Sequence, residues 1–388
     1  MMQTVHPTEV GMDPQRIDRW FAVIEKKIQE RWLYGGAFLL ARRGKIVAVR
    51  GVGMSEPKKN RAAKPDDIFC LFSTSKPITA TMLLMKVDQG DVRLCDKVAD
   101  YLPEFGVNGK QNVTVAQVLT HTAGFATLAP DWPMPKWADW DATIARICAQ
   151  AVEHEPGAAV HYHALTGSWI LGEIARRVDG GKRSFAQMCA EDVFGPLGMK
   201  DSHMGVRPDM HARRVPLQAL DTGGAPFPIE FLEAFNMPEI QGAAIPGAGA
   251  YSTVFDLARF YQMWLNGGEL DGVRLLSPAL VDLATTIHTG EMVDRLVEQI
   301  SLAQGWTTPP ANRGLGFWIR GTGIFPTYFG TLASPRTFGH AGASSIMAWA
   351  DPARELVFVG LTSGLIHEHR SILRWTLFSD LAQSCVVD

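Results

Sequence analysis

Ser73 and Lys76 stand three residues apart in Ser73-Thr74-Ser75-Lys76-Pro77, at the head of an apolar-periodic stretch from Thr74 to Gln89. Proline lacks an N–H and fits a helix only in its first turn, where the amides have no intrahelical partner. Pro77 therefore predicts a helix beginning near Ser73, with Ser73 and Lys76 on one face at i and i+3. A serine there sits at the positive end of the helix dipole, with a lysine within reach of its hydroxyl. That arrangement activates a weak nucleophile without histidine. The spacing alone is weak, because serine also serves as a plain cap. Its context is a strand-like segment, Ile68 to Phe72, before it and a mostly apolar helix after it.

Other chemistries lack their residues. There is no G-x-S-x-G elbow, no HExxH, no GxGxxG and no Walker loop. The H-x-H pairs His161/His163 and His367/His369 have no carboxylate or thiolate at metal-site spacing. His121 reads as a loop histidine rather than a base. Neither metal nor cofactor is expected.

The elements that must position this pair alternate in type. A helix is predicted over 13–31, with Ile17, Trp20, Phe21, Ile24 and Ile28 at helical spacing. Strands at 36–42 and 45–51 follow, joined by a turn at Arg43 and Gly44. Helical patterns fill the middle at 115–121, 140–154, 166–178, 185–194, 253–267 and 277–287. Strands return at 315–320, 344–351 and 356–362, and the chain closes on a helix over 371–385. Sheet at both ends with helices between predicts an α+β fold, an antiparallel sheet flanked by helices and built from both termini, with a large mostly helical insertion. The expected division is residues 1–90 and 291–388 for the α/β part and 91–290 for the helical part, with the active site in the cleft between them.

Composition bounds the partners. The 388 residues are 46% hydrophobic and 20% charged, with 37 basic and 40 acidic side chains and a net charge of −3. That balance carries no electrostatic footprint for nucleic acid or an anionic membrane. No apolar run is long enough to span a bilayer, and the first residues carry no secretory signal pattern. The five cysteines are widely spaced and odd in number, which suits neither a disulfide framework nor a zinc knuckle. A cytoplasmic location is expected, and the sequence leaves the oligomeric state open.

Several further phrases occur in order: VLTHTAGF at 118–125, Pro156-Gly157 ahead of Tyr162, GAYSTVFDLARF at 249–260 and FGHAG at 338–342. With S-x-x-K they resemble the serine β-lactamase and penicillin-binding-protein superfamily. Within it the chain looks most like class C β-lactamase-like esterases, the family VIII carboxylesterases. The resemblance implies Tyr162 as the second catalytic element, from a Y-x-N motif that here ends in Ala164. It makes His340-Ala341-Gly342 the counterpart of K-T-G, and it implies an oxyanion hole from the backbone N–H groups of Ser73 and Ala343. A Lys76 ammonium would favour the ionised form of Tyr162, and whether Lys76 or Tyr162 is the base stays open. Gly342 would let substrate lie against the strand, and His340 would contact it as a largely neutral group.

Ala164 offers no side-chain hydrogen bond to a substrate amide, and His340 and Ala341 weaken carboxylate recognition. The expected activity is therefore two-step hydrolysis of small-molecule carboxylic esters. A β-lactamase, a D-amino-acid peptidase, acyl transfer to another acceptor and a non-catalytic ligand sensor are the alternatives. Trp132 and Trp137, in the Pro-rich loop 131–140, either wall an acyl pocket or glue the loop to its own domain.

Overall fold

The structure is a computed structural model and describes residues 2–125, 132–224 and 228–388. Helix α1 (Pro14–Gln29) opens on Asp13, whose carboxylate accepts the N–H groups of Gln15 and Arg16. Strands β1 (Gly35–Arg42) and β2 (Lys45–Glu56) form the expected hairpin. Arg43 and Gly44 both take positive φ, at 50° and 74°, the turn geometry whose twist suits a two-residue hairpin. With β3 (Arg61–Ala62), β4 (Trp318–Ile319), β5 (Phe338–Gly342), β6 (Ile346–Asp351) and β7 (Leu356–Ser363) they make one seven-stranded sheet ordered β3-β2-β1-β7-β6-β5-β4. Every neighbouring pair is antiparallel, and β1 joins the two ends of the chain by pairing Gly35 with Ser363 through to Arg42 with Leu356.

Both faces of the sheet are covered, so its central strands are buried along their whole length. Side chains alternate between faces along a strand. Phe38 and Leu40 enter a core with Trp20, Phe358, Trp375 and Phe378, under α1 and the C-terminal helix. Ala37, Leu39 and Ala41 enter the other core. There the sheet meets helix α4 (Val254–Leu265), which lies inside the 91–290 segment expected to form the insertion but packs on β1, β6 and β7. Its apolar residues Leu257, Ala258 and Tyr261 are buried, and burial of that surface is what draws the helix back onto the sheet.

Helix α2 (Lys76–Asp88) is buried for most of its length and packs on helix α3 (Thr166–Val178). Trp264 of α4 donates its indole N–H to Thr81 Oγ1 at 3.2 Å. The 185–194 segment begins as an α-turn, Phe185–Met188, and continues as a π-helix, Cys189–Phe194. Helix α5 (Arg295–Gln304) falls where no helix is predicted, and only Trp318 and Ile319 of the 315–320 segment enter the sheet. The chain ends in α6 (Glu368–Ser384).

Candidate active site

Ser73 lies not in an α-helix but in a 3-10 turn, Phe72–Ser75, that leads into α2. Because a 3-10 turn has three residues, positions i and i+3 eclipse, and Lys76 Nζ comes to 3.0 Å from Ser73 Oγ. The residue before the serine, Phe72, has φ 44°, a left-handed backbone that costs a non-glycine residue about 1–2 kcal/mol. Its surroundings hold it there. The Phe72 ring packs edge-on against Phe235 at 5.2 Å, Leu71 N–H donates to Ala250 O at 2.8 Å, and Ala250 N–H donates to Ser75 Oγ at 3.0 Å.

The same turn rests on strand β5. Thr74 donates its hydroxyl to His340 O at 3.1 Å, and a Cβ at Gly342 would stand 2.2 Å from Leu71 O. The missing side chain at Gly342 thus makes room for the chain's own Leu71, beside the Ser73 turn. The contact sets Ala343, the next residue, beside the turn, and Ser73 and Ala343 line one cavity. Neither amide has a carbonyl partner among the described residues, as the start of a helix and a strand end leave them.

Lys76 Nζ also donates to Ala164 O at 2.5 Å and Gly247 O at 3.0 Å. Carbonyls only accept, so two of its hydrogens are committed and its remaining position faces Ser73. Lys76 is 4% exposed, and burial without a carboxylate partner pulls its pKa well below the lysine range. Tyr162 is 5% exposed and hydrogen-bonds Ser73, while Lys76 Nζ stands 4.9 Å from its ring. Burial pushes the phenol's pKa up, against the lowering effects of the Ser73 bond and Arg313. Burial thus opposes both the Lys76 ammonium and the ionised Tyr162 that the resemblance implies.

Three histidines crowd this pair, and burial holds all of them neutral: His121 and His340 fall well below the imidazole range, and His163 to about 3. His121 Nδ1 accepts the His163 backbone N–H at 3.1 Å, the structural loop role expected of it. His163 stacks on Phe125 at 4.3 Å. His340 is 1% exposed; its Nδ1–H donates to Ala341 O at 2.7 Å and its ring lies 4.5 Å from Trp318. It supports Trp318 from behind and is not among the residues of the cavity wall.

Ser73 and Tyr162 line a cavity that is open to solvent at its mouth. Leu296, Val297 and Ile300 of α5 form one wall, with Trp318, Phe325 and Phe329 among the other apolar residues. Polar groups enter it from Arg313, Asp294, Tyr328 and Glu368. Sequence reasoning missed these, although Asp294 as a cap, Leu296 and Ile300 at helical spacing and Gly305 as a stop do signal α5.

Trp132 and Trp137 are not in the cavity lining. Trp137 packs against Phe231 and Phe235 at 6.0 and 6.4 Å. The indole of Trp132 donates to Thr143 Oγ1 at 3.2 Å, under the Lys136 ammonium. They glue the loop to its own layer, while Asp131 lies outside the described residues.

The beta-lactamase family profile matches residues 20–380. The esterase/beta-lactamase LipL of Mycobacterium tuberculosis is 29% identical over 312 residues, spanning 74% of this chain and 67% of LipL. A solved family VIII carboxylesterase is 26% identical with a TM-score of 0.80, over 96% of this chain and 98% of its own. A penicillin-binding protein homologue from Caulobacter crescentus is 30% identical with a TM-score of 0.77, over 96% and 99% of the two chains.

Proposed function

The chain belongs to the beta-lactamase family of hydrolases, and from that membership we propose that it is a serine carboxylesterase working through an acyl-enzyme on Ser73. The observation that carries this reading is the position of Lys76 Nζ, held by two carbonyls and 3.0 Å from Ser73 Oγ. In the amine form its free lone pair takes the Ser73 proton as Oγ attacks the ester carbonyl. The oxyanion rests on the N–H groups of Ser73 and Ala343. The Tyr162 phenol gives its proton to the departing alcohol oxygen as the acyl C–O bond breaks, and the proton held on Lys76 restores the phenol. Water then cleaves the acyl-enzyme by the reverse route. The apolar cavity would take the hydrocarbon part of a small ester.

Esters are favoured over penicillins by what stands at the recognition positions. Ala164 contributes only a carbonyl, already bound to Lys76, and His340 is neutral and enclosed. The kcat/KM for p-nitrophenyl butyrate is expected to exceed that for benzylpenicillin by about 100-fold or more, in line with the cost of leaving buried polar groups unmatched. A penicillin value equal to or above the ester value would reassign the substrate.

Gly342→Ala tests the oxyanion site without touching a reacting side chain. Its Cβ must push Leu71 O, and with it the nucleophile turn, off β5. The expected loss in kcat/KM for p-nitrophenyl butyrate is about 10²-fold, the order seen when one oxyanion donor is lost. Retention of a third of the rate in a folded variant would separate the turn's position from catalysis.

A further inference from the structure

Arg313 and Asp294 form an ion pair inside the cavity, with Nη2 and Oδ2 2.5 Å apart and side chains 4% and 0% exposed. Burying such a pair commonly costs more in desolvation than its attraction returns, so its place in the wall asks for a use beyond stability. The guanidinium carbon lies 4.6 Å from the Trp318 ring and 5.9 Å from the Tyr162 ring. Asp294 caps α5 by accepting the Leu296 N–H at 3.0 Å. The next residue, Arg295, donates its N–H to Val160 O at 3.2 Å, two positions before Tyr162. The loop that carries Tyr162 is thus held through its backbone at Val160 and faced by a fixed charge at Tyr162 itself.

We propose that Arg313 is a positioning residue for Tyr162: oriented by Asp294 and Trp318, it fixes the phenol toward the departing oxygen and supports the negative charge left on it when its proton goes. This rests on the reading of Tyr162 as the acid. The other groups facing the ring leave that task open. Lys76 carries the proton taken from Ser73 at that moment, but two of its hydrogens are tied to Ala164 O and Gly247 O and the third is the one it returns to the phenol. His121 and His340 are neutral, and Asp294 and Glu368 both oppose ionisation of the phenol. Arg313 is the permanent cation that favours it.

The distinguishing measurement is the leaving group. Ethyl and p-nitrophenyl butyrate give the same butyryl-enzyme, but ethoxide must be protonated as it leaves and p-nitrophenolate need not be. In the double variant Arg313→Met/Asp294→Asn, which leaves no unpaired buried charge and keeps a capping side chain, kcat/KM for ethyl butyrate is expected to fall about tenfold or more. The value for p-nitrophenyl butyrate is expected to fall no more than about threefold. Arg313→Gln, which can still hydrogen-bond Asp294, is expected to show the same selective loss should the double variant not fold. Arg313→Lys, which keeps the charge, is expected to restore the ratio of the two esters to within about threefold of wild type. Equal losses on both esters in the Arg313 variants, beside a selective loss in Tyr162→Phe, would overturn the role of Arg313 alone. Equal losses in Tyr162→Phe as well would overturn Tyr162 as the acid and Arg313 with it.

Discussion

Ser73→Ala is expected to lower ester hydrolysis by about 10³-fold or more, the scale on which removal of a covalent nucleophile is felt, while the protein still unfolds cooperatively within a few degrees of wild type. The substitution removes the hydrogen bonds of Oγ with Lys76 and Tyr162, and the turn is held by Phe72, Thr74 and Ser75 instead. Esterase assays, a thermal melt and fluorophosphonate labelling read by mass spectrometry check this together. The label belongs on Ser73 in the wild type and nowhere in the variant. A variant with a tenth of the wild-type rate would move the nucleophile elsewhere.

Lys76→Ala is expected to cost at least as much, because it removes the amine positioned to take the Ser73 proton. The pH profile carries the same information. For an amine whose pKa is lowered by burial, the base form is lost only when the pH falls through that lowered value. The acid limb of kcat/KM should therefore lie well below the ordinary lysine range. A limb near that range would mean that burial does not hold Lys76 in its base form. Losses in Lys76→Ala and Tyr162→Phe should combine to far less than their product, because the two residues serve one proton path.

How much of this was legible in the sequence depended on the range of each contact. Ser73 and Lys76 meet through local geometry, three residues along one turn, and Pro77 marked where that turn had to be. The β1–β2 hairpin was legible for the same reason. Tyr162 and Ala343 were named through resemblance, since no spacing connects them to Ser73. Gly342 was recognised as a position needing no side chain, but what approaches it is Leu71 O, a contact across the fold. The tryptophans of the 131–140 loop left two readings open because an aromatic cluster looks alike whether it lines a pocket or fills a core. Arg313 and Asp294, nineteen residues apart and in direct contact, take their meaning from Tyr162, whose ring the guanidinium faces. Helix α4 escaped its expected domain because the apolar face of a helix does not state which layer will cover it.

The bond from Thr74 to His340 spans 266 residues of chain. A ribosome adding roughly 5–20 residues per second makes the nucleophile turn about 13–50 s before the strand that supports it. Until then the left-handed backbone at Phe72 has no β5 behind it, and the amide of Ala343 does not yet exist. Long-range pairings of this kind slow folding, since loop closure must precede any gain from the contact. The serine is therefore made early, and a chain that has not yet reached β5 lacks the second amide proposed for its oxyanion.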